Sequence, residues 1–134
     1  MTQSYYFRHE DLKNYIIRYF TRWSVPADDA VIAAEVLLSA DARGADSHGM
    51  IRLNSYYGSR LRKGQINPLS HMTLLNETAT TLSIDGNNGL GHPISYKTMQ
   101  RCIEKAEASG MAMATVRGSN HYGIAGYYAM MALP

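Results

Sequence analysis

The chain has 134 residues, of which 46% are hydrophobic and 18% charged, with a net charge of +2. That balance excludes a disordered chain, and the near-zero charge excludes the clustered basic face of a nucleic-acid binder. The length suits one domain with a real core.

In chain order, Leu12, Tyr15, Ile16, Tyr19, Phe20 and Trp23 recur at helical spacing and predict a first helix over residues 8–24. Val25-Pro26 ends it, because the residue before a proline is pushed out of the α region. Pro26-Ala27-Asp28-Asp29 then opens a second helix, its acidic groups suited to the positive end of the dipole. Ile32, Val36, Leu37 and Ala40 form its apolar face, to about Arg43 or Gly44. Residues 45–49 read as a polar break, and a third helix over residues 49–62 ends on a basic last turn and Gly64. Arg60, Arg62 and Lys63, the only local basic run, are read as that solvated end.

The character changes after Gly64. Gln65-Ile66-Asn67-Pro68 reads as a connector between a helical subdomain, 1–66, and an incomplete α+β cofactor-binding domain, 67–134. Residues 72–77 and 80–85 read as short strands around a turn. Gly86, Gly89 and Gly91 mark a loop whose spacing is neither G-x-G-x-x-G nor a Walker A, so turn geometry and close packing explain it better than a phosphate. A helix follows over residues 93–109, with Ile94, Met99, Ile103 and Ala106 as its buried stripe and Gly110 as its stop. Residues 111–116 form a continuous apolar run suited to a strand buried on both faces, and a last helix is expected from Tyr122.

Cys102 is the only cysteine and sits in an apolar helix pattern, so it is expected to be buried packing. With no internal disulfide possible, a reducing compartment is favoured. Met1-Thr2-Gln3-Ser4-Tyr5-Tyr6 has neither a basic nor an apolar leader pattern, and no membrane span is visible, so the expectation is a cytoplasmic protein. Ten tyrosines against two phenylalanines suit subunit interfaces and site walls as well as core.

Chemistry concentrates in Ser47-His48-Gly49-Met50-Ile51-Arg52. On a helix, His48, Arg52 and Tyr56 would share one face, because residues four apart are neighbours there. A guanidinium can clamp a carboxylate in a bidentate fork, and an imidazole can exchange a carbonyl proton. The same spacing equally fits a solvated helix face. A second histidine, His121, stands at a strand-to-helix turn, a position that site residues favour and that a capping histidine also fits. His9, His71 and His92 are scattered without metal-ligand spacing, so no metal site is expected. No Gly-x-Ser-x-Gly elbow supports a hydrolase nucleophile.

Three motifs carry a resemblance: Ala40-Asp41-Ala42-Arg43-Gly44-Ala45-Asp46-Ser47-His48-Gly49, Asp85-Gly86-Asn87-Asn88-Gly89-Leu90-Gly91-His92, and Gly118-Ser119-Asn120-His121-Tyr122-Gly123-Ile124-Ala125-Gly126-Tyr127-Tyr128. In this order, from about Asp11 to Ala132, the chain resembles the amino-terminal part of the malate/L-lactate dehydrogenase family. These are the NAD(P)-dependent 2-oxo-acid reductases that lack a Rossmann fold, and they include sulfolactate, ureidoglycolate and 2,3-diketogulonate dehydrogenases and piperideine-carboxylate reductases. The resemblance implies an α+β fold: a helical subdomain, then the first part of a mixed-sheet, non-Rossmann nucleotide-binding domain.

It also implies roles. Arg52 would hold the substrate carboxylate and Tyr56 would line the pocket. His48, paired in some members with the preceding serine (here Ser47) and a distant aspartate, would handle the proton. In the ureidoglycolate branch the position of His121 is taken as the acid/base instead, and the residues leave that choice open. Asn120 and Gly123 would touch the nicotinamide of NAD or NADP. A homodimer acting on a small carboxylate is implied. The chain would be roughly the first two-fifths of such an enzyme, with the relay aspartate and most of the cofactor site beyond residue 134. The alternative is a catalytically silent fragment or dimerisation module.

Overall fold

The computed structural model describes residues 5–133; Met1 to Ser4 of the Met1–Tyr6 stretch, read above as showing no leader pattern, lie outside the described residues, as does Pro134. Helix α1 (His9–Thr21) packs Ile16 and Phe20 against α2 (Ala27–Ala42). The first helix stops at Thr21, short of the expected Ser24, because Ser24 adopts a left-handed φ of 65°. Helix α2 buries residues nearly all round, including Ala30, Ala33, Ala34, Val36, Leu37, Leu38 and Ala40. It lies between α1 and the later helix α4 (Gly91–Ser109), so both of its sides find partners, and Ile32 is only half-buried. A 2.6 Å ion pair from Lys97 to the buried Asp29 ties α4 to α2.

The third helix differs from expectation. A 3-10 turn (Asp46–His48) precedes a non-helical Gly49 (φ −92°, ψ −142°); a π-helical segment (Leu53–Gly58) then runs into α3 (Ser59–Arg62). The π segment is held from α1, where the Tyr19 hydroxyl donates to Asn54 Oδ1 at 2.7 Å. Gly58 permits that approach, since a β-carbon there would lie 1.8 Å from the same hydroxyl oxygen. Leu53, Tyr57, Leu61, Ile66 and Leu90 complete the core that α1 and α2 begin.

The sheet has the order β1-β2-β3: β1 (Thr73–Glu77) antiparallel to β2 (Thr81–Gly89), and β2 parallel to β3 (Met113–Ser119). This α+β arrangement is the expected class. The anticipated glycine loop is instead the end of β2. Its pairing with β3 lapses after Asp85 and resumes at Gly89 opposite Ser119, across Asn87 and Asn88 in left-handed conformation (φ 49° and 57°). Asparagine tolerates that region better than most residues.

Two further expectations are corrected. Strand β3 is not buried on both faces: Met113, Thr115 and Arg117 are exposed while Ala114 and Val116 are half-buried against the α4 side. An apolar run reports hydrophobicity, not how many layers cover it. Helix α5 (Ala125–Met130) begins later than Tyr122, because Gly123 takes a φ of 81° that interrupts any helix there. Cys102 is half-buried, and its partial burial raises the thiol pKa.

Candidate active site

The 3-10 turn and the π segment lie on one side of a seam, and the loop after β3 lies on the other. Two glycines allow the seam to close. A β-carbon on Gly49 would overlap the Asp41 carboxylate at 1.7 Å, and in its absence the Met50 N–H donates to Asp41 Oδ2 at 2.9 Å. This fixes the backbone immediately after His48. Burial raises the Asp41 pKa, against the pull of that N–H. Gly91, at the start of α4, would meet the backbone oxygens of Asn120 and His121 at 2.2 and 2.4 Å if it carried a β-carbon. The loop bearing His121 is thus pressed directly onto α4.

Across the seam the His48 and His121 rings stack with centroids 5.4 Å apart, and Tyr56 lies 5.3 Å from His121. Ser47 Oγ is 2.8 Å from His48 Nδ1. Arg52 donates from Nε to the Ser47 carbonyl at 2.7 Å, the one bond of its side chain among the described residues, which leaves the Nη groups open for a ligand. Arg52, Ser47, Ile51 and Ser55 border a hollow of about 330 Å³. Burial lowers the His121 pKa, and the neighbouring His48 and Arg52 charges lower it further. Arg60, read from sequence as solvated, places its guanidinium 4.4 Å from the Tyr56 ring centroid and backs that wall.

The remaining expected residues are held differently. The Asn120 amide donates to Asn88 O and Oδ1 at 3.0 Å each and to Gly89 O at 2.9 Å, pinning the His121 loop to the end of β2. The Gly123 N–H donates to His121 Nδ1 at 3.2 Å, and a β-carbon on Gly123 would meet Val36 Cγ1 at 2.6 Å.

Two residues escaped the sequence reading. Tyr57, fully buried, lies with its hydroxyl 2.7 Å from His121 Nδ1. A regular helix would turn Tyr57 away from the face of Tyr56; the widened π turn brings both rings to His121, and the adjacent tyrosines were the only signal. His92, also fully buried, packs 4.7 Å from the Tyr57 ring, and both of its ring nitrogens lack hydrogen-bond partners among the described residues. Desolvation, with the His121 charge, lowers its pKa to about 3. No spacing rule announced it. Among the described residues no group of three or more His, Cys, Asp or Glu side chains is placed to hold a metal. A separate hollow of about 420 Å³, walled largely by apolar residues such as Met99, Val116 and Tyr128, touches none of these histidines.

The fold is a mixed-sheet α+β type with two histidines, an arginine and two tyrosines gathered at the junction of its helices and strands. A family model described as Malate/L-lactate dehydrogenase matches residues 7–134, and the chain belongs to that family. It is 42% identical over 123 residues to a malate dehydrogenase of Pyrococcus abyssi, covering 92% of this chain and 34% of that protein. An L-sulfolactate dehydrogenase of Methanocaldococcus jannaschii is 39% identical, with 92% and 36% covered. The crystal structure of malate dehydrogenase from Entamoeba histolytica superposes with a TM-score of 0.94 at 38% identity, covering 97% of this chain and 36% of that one. The chain therefore spans about a third of the length of these relatives.

Proposed function

We propose that this chain contributes the substrate-facing part of an oxidoreductase that interconverts a small 2-oxo acid and its 2-hydroxy acid, with NAD or NADP as hydride partner. One observation carries the reading: Arg52, with its Nη groups open, stands beside a stacked pair of histidines. Arg52 would hold the carboxylate, because a guanidinium stays charged and its fork matches two oxygens. The histidines would meet the carbonyl oxygen, with a proton available from an imidazole near neutral pH. Ser47 would orient His48, and Tyr56 would wall the pocket. Family membership supports the reaction class.

The described residues fit a dinucleotide poorly. Asn120 and Gly123 are proposed to border the nicotinamide, yet the Asn120 amide and the Gly123 N–H are already engaged within the chain. The division at residues 66 and 67 would separate the element bearing Arg52 and His48 from the one bearing His121. Exposed Tyr5, Tyr6 and Phe7 support contact between copies, in keeping with a homodimer. No helix among the described residues is long and apolar enough to cross a membrane, and a cytoplasmic location is proposed from the single cysteine.

The test is binding of pyruvate, oxaloacetate and 2-oxoglutarate to the chain and to Arg52→Ala, with pyruvamide as the uncharged control and NADH and NADPH oxidation followed alongside. Loss of a charge-assisted contact of about 1.5–3 kcal/mol should weaken the acids roughly ten- to hundredfold and leave pyruvamide unchanged. Equal affinity of both proteins for the acids would sink the assignment.

A further inference from the structure

His121 meets two partners at one ring nitrogen. The Tyr57 hydroxyl lies 2.7 Å from Nδ1, and the Gly123 backbone N–H donates to the same atom at 3.2 Å. A backbone amide can only donate, so Nδ1 presents its lone pair and the single proton of the neutral ring sits on Nε2. With Nδ1 accepting, the Tyr57 hydroxyl is a second donor to it. A protonated ring would turn an Nδ1–H against the Gly123 N–H, two donors with no acceptor between them. Little free space surrounds Gly123, where a β-carbon would lie 2.6 Å from Val36 Cγ1 and 3.4 Å from the His92 ring.

His48 is held by different chemistry. Its Nδ1 meets Ser47 Oγ at 2.8 Å, and a hydroxyl accepts as readily as it donates. His48 can therefore exist in either tautomer and as the cation. With the rings stacked at 5.4 Å, a charge on one disfavours a charge on the other. The groups facing His121 are His48 from the 3-10 turn, Arg52, Tyr56 and Tyr57 from the π segment and its start, and His92 from α4. None is a carboxylate that would stabilise a second cation.

We infer that Tyr57 and the Gly123 amide hold His121 as its neutral Nε2–H tautomer, so that His121 donates a hydrogen bond to the substrate carbonyl oxygen while His48 supplies the proton. This rests on the 2-oxo-acid reading above and divides the labour between two histidines that the sequence leaves equivalent. Tyr57 is then a positioning residue: it acts on substrate only through His121.

The experiment is a long-range proton–nitrogen NMR correlation of the ¹⁵N-histidine-labelled chain, from about pH 8 to about pH 5, across the range of histidine titration. The expected spectrum has His121 with an unprotonated Nδ1 and a protonated Nε2, a pattern that persists as the pH falls through this range. Tyr57→Phe keeps the ring and removes only the hydroxyl; it should raise the Nδ1–H form of His121 several-fold. An Nδ1–H pattern for His121 in the unsubstituted chain, or a doubly protonated His121 ring near neutral pH, would overturn the inference. An unshifted Nδ1 resonance in Tyr57→Phe would remove Tyr57 from it. Should that variant fail to fold, the unsubstituted chain still decides the tautomer. Adding pyruvate to the same sample separates the two readings: a locked His121 that does not respond removes the substrate role alone, and a responding His121 with Nδ1–H removes the lock alone.

Discussion

The helical half and the sheet half of this molecule solve burial differently. Around α2, Ile16, Phe20, Ala33, Leu37 and Tyr57 are fully buried, and the core closes on itself. In the sheet, every residue of β1 is exposed and β3 keeps Met113 largely open, so only β2 contributes buried Leu82 and Ile84. The candidate site lies where the two meet, with the closed half supplying His48, Arg52 and Tyr57 and the open half supplying His121. Rigidity on one side and a pinned loop on the other suit a site whose geometry must be held to fractions of an ångström.

The largest way to break the contrast is Phe20→Ala. It should cost about 3–5 kcal/mol in the closed core, whereas Val116→Ala on β3 should cost under about 1 kcal/mol. Thermal unfolding compares the two, and similar losses would mean that the halves are equally consolidated. Native-state hydrogen exchange on the same proteins should find β1 and β3 amides opening more easily than those of α2.

A smaller effect sharpens the seam. Gly91→Ala sets a methyl group against the Asn120 and His121 carbonyls and should cost about 1–3 kcal/mol. It should also move the His121 ring away from His48, which a loss of nuclear Overhauser contacts between the rings would report. Unchanged contacts would mean that Asn120 alone positions the loop.

The last effect is conditional on pH and vanishes near neutrality. His92, and less strongly His121, have pKa values below the ordinary histidine value of about 6.5. The unfolded chain binds their protons first, so stability is full above about pH 6.5 and falls with acid, for His92 down to its folded value of about 3. His92→Leu removes two unpartnered buried nitrogens and should flatten this acid dependence while changing stability little at pH 8. An unaltered acid profile would place the titration elsewhere.

The first two helices, the helix over α4 and the mixed α+β order were legible because amphipathic spacing and proline and glycine punctuation act within a few residues. His48, Arg52 and Tyr56 were legible as a group for the same local reason, although the backbone carrying them is not the regular helix that the spacing assumed. The family resemblance joined His121 to them across 73 residues of chain, from His48 to His121, and in the structure the two histidine rings lie 5.4 Å apart.

What the amino-acid order determined by itself was therefore the set of chemical groups and the local periodicities that lift them out of loops. The tertiary structure alone decided that Tyr57 faces His121, that His92 is sealed behind it, and that β3 has one covered face. Each of these depends on which distant backbone arrives nearby: Gly91 against the Asn120 carbonyl, Gly58 under Tyr19, Gly123 against Val36. A glycine in a sequence says only that close approach is possible; the partner that approaches is set by the packing of the whole chain.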